Sequence, residues 1–342
     1  MGHRGMMRDP TRRHAIAGLT VATLIPRIAR ADAAPVRISH GYSIGYLPLM
    51  IMRDQGLIEK HAAKAGLPPP RVEWKIVDGG NNINDAMLAG AVDIAGIGIP
   101  GYLVLRDRTL GKRQEMTAIS ALDAGALWLN TIDPRIKTLA DYRPGDRIAV
   151  PGIKTSYAAV VLQMAAAKTF GMEHYAKLDP LTVGLPHPEA YAAMMSGGTE
   201  VKSHLASAPF SYQELKNPGV HRVLSTREAI GLLTILVTMT QQQFAAANPD
   251  LIRVFLAAQE EAAAFIGSDR EGAAAAYGRA TGLKTPKAEL IEMLEDPENS
   301  YSTAPTGSLI YARFLEQTGA LKTKTTTWTE LFLPIAHAKG GS

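Results

Sequence analysis

The stretch Val92–Gly101, VDIAGIGIPG, decides the fold. Apolar residues run into Gly96, Ile97, Gly98 and Ile99, and Pro100 then stands at the head of a second apolar run, YLVLRDRT. A strand that ends in small residues and turns at once into a helix with proline in its first turn is the strand-to-helix junction of an α/β sheet. Glu200–Phe210, EVKSHLASAPF, repeats the device with Ser207, Ala208 and Pro209 before the helix-like FSYQEL. Two readings of these junctions are open. They are tight turns and no more, or they hold bare helix N-termini towards one ligand, GIGIP and ASAP facing each other.

Working outward, strand and helix patterns alternate. PVRISHGY reads as a strand, LPLMIMRDQGLIEKHAAKAG as a helix ending near Gly66, and RVEWKIVD as a strand. NINDAMLAG reads as a short helix with Asn82 as N-cap. EMTAISAL and ALWLNT are two further strands. The pattern then restarts. RIAVPG, LDPLTVGL, VKSHLAS and HRVLST read as strands, with the alanine-rich SYAAVVLQMAAAKTFG and PEAYAAMMSGG as helices between them. After LLTILVTMT the chain is chiefly helical. Two α/β units with a helical tail follow, joined by strand-like segments at 122–130 and 225–236. Paired crossovers of this kind make a hinge rather than a tether.

Composition narrows the function. The 342 residues are 46% apolar and 20% charged, as in a soluble globular protein, and long enough for two lobes. Aromatic residues make up 6%, too few for a nucleic-acid stacking platform. The absence of cysteine removes disulfides, thiolate metal sites and thiol nucleophiles together. Residues 1–33 hold six arginines and two aspartates, which accounts for the whole net charge of +4. A neutral body behind a basic leader argues against a polyanion partner. In that leader RRHAIAGLTVATLI places two arginines before an apolar run too short to span a bilayer, and ARADAAP offers a small-residue cleavage site near Ala33. Export is expected, with Arg12-Arg13 after Thr11 similar to a twin-arginine signal and the general secretory route open beside it.

Candidates for chemistry cluster at the carboxyl ends of the strands, where an open parallel sheet binds its ligand and helix N-termini offer unpaired N–H groups. They are Ser43 and Tyr46 in GYSIGY, Gly98 and Ile99 in GIGIP, Thr155 and Ser156 in KTSY, His187 in LPHPE, and Ser207 in ASAPF. No G-x-S-x-G, H-E-x-x-H, dinucleotide or P-loop pattern is present, so no catalytic residue, metal or cofactor is expected. His204 reads as a buried, paired strand residue and Trp128 as core or hinge packing.

VRISHGYSIGYLPLMIMRDQGLIEKH, AMLAGAVDIAGIGIP, RIAVPGIKTSYAAVVLQ, AAMMSGGTEVKSHLASAPF and QFAAANPDLIRVFLAAQEEA occur in the order seen in periplasmic binding proteins of the nitrate, sulfonate and taurine ABC importers, which the chain resembles over Val36–Leu333. The resemblance implies an α/β fold of two lobes, each an open mixed sheet flanked by helices, joined by two hinge strands. Residues 36–124 with 235–342 would form one lobe and 125–234 the other. It implies a monomeric, non-enzymatic periplasmic protein that closes on a small polar or anionic organic ligand and delivers it to a permease and ATPase. The chain departs from the pattern at Val201, Lys202 and Ser203, where the second lobe usually repeats Val-Asp-Ala. An enzyme of thiamin-pyrimidine-precursor type on the same fold, and a binding subunit that feeds a sensor, are the alternatives. The enzyme relies on a cysteine-rich segment that this chain lacks.

Overall fold

The computed structural model describes Met1 and residues 34–342, and the export-signal reading of residues 1–33 lies outside the described residues. Eleven strands are present among them: β1 Val36–His40, β2 Val72–Ile76, β3 Ile94–Gly98, β4 Met116–Gly125, β5 Trp128–Thr131, β6 Arg147–Val150, β7 Thr182–Gly184, β8 Val201–Ala206, β9 His221–Ser225, β10 Leu233–Gln241 and β11 Ser300–Tyr301. They form two sheets, ordered β11-β4-β10-β3-β1-β2 and β7-β6-β8-β5-β9. Both are mixed. In the first, β1 runs parallel to β2 and β3, and β10 lies antiparallel between β3 and β4. In the second, β6 runs parallel to β7 and β8, and β5 is antiparallel to β8 and β9.

The chain crosses between the sheets twice. Residues 126–127 link β4 to β5, and the short helix Thr226–Ile230 with its flanks links β9 to β10. Each crossing strand enters its new sheet in the antiparallel sense, which is why neither sheet is purely parallel. β3 is buried through Ile97, as a strand covered on both faces must be, and opens only at Gly98. The helical tail packs on the first sheet's side: Pro249–Ser268 lies against the helices Leu47–Gln55 and Leu57–Lys64. One continuous apolar core contains residues of both sheets, from Ile38 and Ile94 to Ile148 and Leu205.

Two local readings change. The run 47–66 is two helices, because Gly56 adopts a left-handed φ of 59° that ends the first and starts the second. The helix expected from Asn82 starts earlier, at Gly80 with Gly79 as its N-cap, and the Asn82 amide donates to the Asp78 carbonyl at 3.0 Å. No helix among the described residues is long and apolar enough to cross a membrane.

Candidate functional site

A cavity of about 50 Å³ lies where the loops at the carboxyl ends of the two sheets meet. By a measure in which one water needs roughly 10–15 Å³, it has room for a few atoms. Of the residues singled out from sequence, Ser43, Tyr46, Gly98, Thr155, Ser156, His187 and Ser207 line it. Ile99 does not, since its fully buried side chain turns back from the first helical position into the core. Asp78, Gly79, Gly80, Pro151 and Tyr157 line it as well, and sequence reasoning passed over all five.

The glycines of the opening stretch have separate tasks. A Cβ on Gly96 would come 2.9 Å from the ring of Tyr46, so that glycine makes the slot in which the buried tyrosine lies. A Cβ on Gly98 would come 2.9 Å from Cβ of Tyr157, the first residue of the helix Tyr157–Phe170 across the cavity. GIGIP therefore faces KTSY. ASAP meets the first turn instead, where the Ile44 N–H donates to the Ala208 carbonyl at 3.0 Å. Gly98 of GIGIP and Ser207 of ASAP line the same cavity, while the close contacts of the two junctions are made with KTSY and with the first turn.

Further contacts hold the two sides together. Thr155 Oγ1 donates to Asn81 Oδ1 at 2.6 Å, and the Tyr311 hydroxyl meets that of Tyr157 at 3.2 Å. Away from the cavity, the helix Phe210–Leu215 and its end meet the helical tail: the Tyr212 hydroxyl donates to Asp296 at 2.6 Å, Gln213 donates to Thr285 at 3.0 Å, and Lys216 pairs with Glu289 at 2.9 Å. Ser156 is the N-cap of its helix. Its hydroxyl accepts the Ala159 N–H at 3.1 Å and donates to the Gly152 carbonyl at 2.6 Å, so its single proton is committed within the loop and helix start.

A buried hydrogen-bonded chain leads away from the cavity. Ser207 Oγ lies 3.0 Å from His187 Nε2, and His187 Nδ1 lies 2.8 Å from His204 Nε2. His204 Nδ1 lies 2.6 Å from Glu214 Oε1, while the Asn130 amide donates to Glu214 Oε2 at 2.9 Å. His204 and Glu214 are wholly enclosed. Burial drives the His187 imidazole well below its usual pKa and keeps it neutral. The chain can be satisfied in either direction. With every donor pointing towards Glu214, His187 Nε2 accepts from Ser207, and the serine offers lone pairs to the cavity. With the direction reversed, His187 Nε2 donates, and Ser207 is free to donate. Sequence placed His204 correctly as buried and paired, but Glu214 looked like an ordinary helix carboxylate.

The charged lining group is Asp78, and among the described residues no lysine or arginine lines the cavity. Burial pushes the Asp78 carboxyl up to about 6, against the backbone N–H groups of Gly79 and His187, which favour its charged form. Its Oδ2 is shut off from solvent and has no hydrogen-bond partner. Behind the lining, Asp123 accepts the Leu236 N–H at 3.0 Å and is pushed up by burial to about 7. Lys202 points elsewhere, its Nζ donating to the Gly197 carbonyl at 2.6 Å. Trp128 packs against Tyr212 with ring centroids 4.3 Å apart and planes tilted by 35°, and does not line the cavity.

No protein-family model matches the chain, and no curated protein matches it. Solved structures do. The chain is similar to the alkanesulfonate-binding protein SsuA from Xanthomonas axonopodis pv. citri bound to MOPS, at 19% identity over 86% of this chain and 96% of that one, with a TM-score of 0.66. It is similar to the periplasmic nitrate-binding protein NrtA from Synechocystis PCC 6803, at 16% identity over 90% and 86% of the two chains, with a TM-score of 0.68. It is also similar to the Candida albicans CA3427 product, described as having the generic periplasmic binding protein fold, at 13% identity over 90% and 95%, with a TM-score of 0.63. The chain has that fold.

Proposed function

We propose that the chain is the exported solute-binding subunit of an ABC importer, a periplasmic monomer that closes two lobes on a small polar solute and hands it to a permease and ATPase. The lobes are residues 36–124 with 235–342, and 125–234. The observation that carries the reading is the cavity built jointly by both sheets' loops and bridged by contacts between them, Asn81 to Thr155 and Ile44 to Ala208 among them. Contacts of this kind are those that two lobes make on closing around a ligand. The nitrate- and sulfonate-binding neighbours support the reading by fold.

The test is a thermal-shift screen of the protein without residues 1–33 against polar metabolites, followed by calorimetry and mass spectrometry of the recovered solute. A ligand that binds only the folded state raises stability by RT ln(1 + [L]/Kd), about 2.7 kcal/mol at a hundredfold excess. The expected result is a large shift with one solute, recovered unchanged. Recovery of a converted solute would overturn the transport assignment.

A second reading, an enzyme, has one observation in its favour: the order Ser207, His187, His204, Glu214 places a hydroxyl, a neutral base and a buried carboxylate in line. An activated serine would be acetylated by p-nitrophenyl acetate, and intact-mass measurement after incubation decides between the two.

A further inference from the structure

An anion-binding site built from helix ends needs those ends free. Here the protein fills the position itself. Asp78 stands immediately before the Gly79 N-cap of the helix Gly80–Leu88, with the N–H of His187, at the head of the helix His187–Ser196, also favouring its carboxylate. The positive ends of two helices are thus answered by a resident negative charge. Asp78 lines a cavity that has no lysine or arginine among the described residues, and its Oδ2 is buried without a hydrogen-bond partner, while the hydroxyls of Ser43 and Tyr46 complete the polar lining. A buried acceptor left without a donor is costly, and a site built around one rejects ligands that cannot supply that donor. A nitrate or sulfonate brings only acceptors, together with a like charge.

We propose that the cavity takes a small cationic or neutral ligand through an N–H donor group, an ammonium, amidinium or amino-heterocycle nitrogen held by Asp78, and that it rejects small anions. This rests on the solute-binding reading and narrows its ligand. Ser207, poised at the end of its histidine chain, gives the same ligand a second polar contact whose direction the chain can reverse.

The test compares chloride salts of acetamidinium and ethanolammonium, and 4-aminopyrimidine, with sodium nitrate and sodium methanesulfonate, each read by thermal shift and calorimetry against sodium chloride. At least one N–H donor should bind wild-type protein tenfold or more tighter than either anion, and Asp78→Asn should weaken that binding at least tenfold. Should Asp78→Asn fail to fold, the wild-type ranking alone decides. Tighter binding of nitrate or methanesulfonate overturns the ligand class and leaves the solute-binding reading standing. Binding by neither set also overturns the class. The solute-binding reading falls only if a broad library of polar metabolites leaves the melting temperature unmoved.

Discussion

Replacing Gly98 with alanine isolates closure from folding. The backbone at Gly98 has φ −58° and ψ 132°, which alanine adopts without strain. The three nearest atoms to the added Cβ all belong to Tyr157, at 2.9, 3.2 and 3.5 Å. Ordinary contact between carbons is about 3.5–4.0 Å, so the shortest approach falls short by roughly 0.6–1.1 Å. Overpacking of that order costs about 1–3 kcal/mol. The overlap lies between the two sides of the cavity, so this cost falls on the closed form alone. Affinity should drop at least tenfold, about 1.4 kcal/mol, in calorimetry with the solute that the screen identifies. The ligand-free protein should be unchanged or slightly more stable, since Gly→Ala at a compatible position adds about 0.4–1 kcal/mol through the unfolded state. Small-angle scattering with saturating ligand should show a less compact particle than wild type. Undiminished affinity, or a lower melting temperature without ligand, would refute the reasoning and make the turn only a turn.

Asp123 has a folded pKa of about 7 against 3.8 for the free side chain, so its contribution to stability is complete below about pH 3.8 and is lost as pH rises through 7. Between pH 9 and pH 5 wild type should gain about 3 kcal/mol relative to Asp123→Asn, and denaturant titrations of both proteins showing parallel pH profiles would disprove it. Replacing Arg12 and Arg13 with lysine should accumulate precursor in the cytoplasm, as read by cell fractionation, and normal processing would assign the general secretory route. Incubation with p-nitrophenyl acetate should leave Ser207 unmodified by intact mass, whereas an acetyl adduct would favour the enzyme. Ser207→Ala should weaken solute binding by less than Gly98→Ala does, because one neutral hydrogen bond is worth roughly 0.5–1.5 kcal/mol, and a larger calorimetric loss would contradict that ranking.

The fold was legible because its signals are local. Pro48, Pro100 and Pro188 stand in the first turns of their helices, and the apolar runs before β3 and β10 end where the strands end. The loops at the carboxyl ends of the strands were legible for the same reason, and seven of the eight residues chosen there line one cavity. Their partners across it were not legible. Which helix start lies opposite Gly98 depends on how the second sheet is docked, and no local pattern encodes that. Gly96 shows the limit in another way. Its missing side chain serves Tyr46, fifty residues earlier in the chain.

The charge of the site was the hardest feature to read, and the reason is physical. Asp78 follows an alternating strand and precedes two glycines, a setting in which an aspartate ordinarily turns the chain and faces water. Glu214 lies in a short helix and looks equally ordinary. Each acquires meaning from burial, Glu214 by closing a chain of two histidines and Asp78 by retaining one enclosed oxygen without a partner. A sequence pattern built on helix starts counts only the donors at such a site, and helix starts always supply donors. The ligand's charge is decided by what the protein places against those donors. Here that group is a carboxylate. The same fold can therefore keep its glycine turns and its converging helices while presenting a ligand with the opposite electrostatic demand.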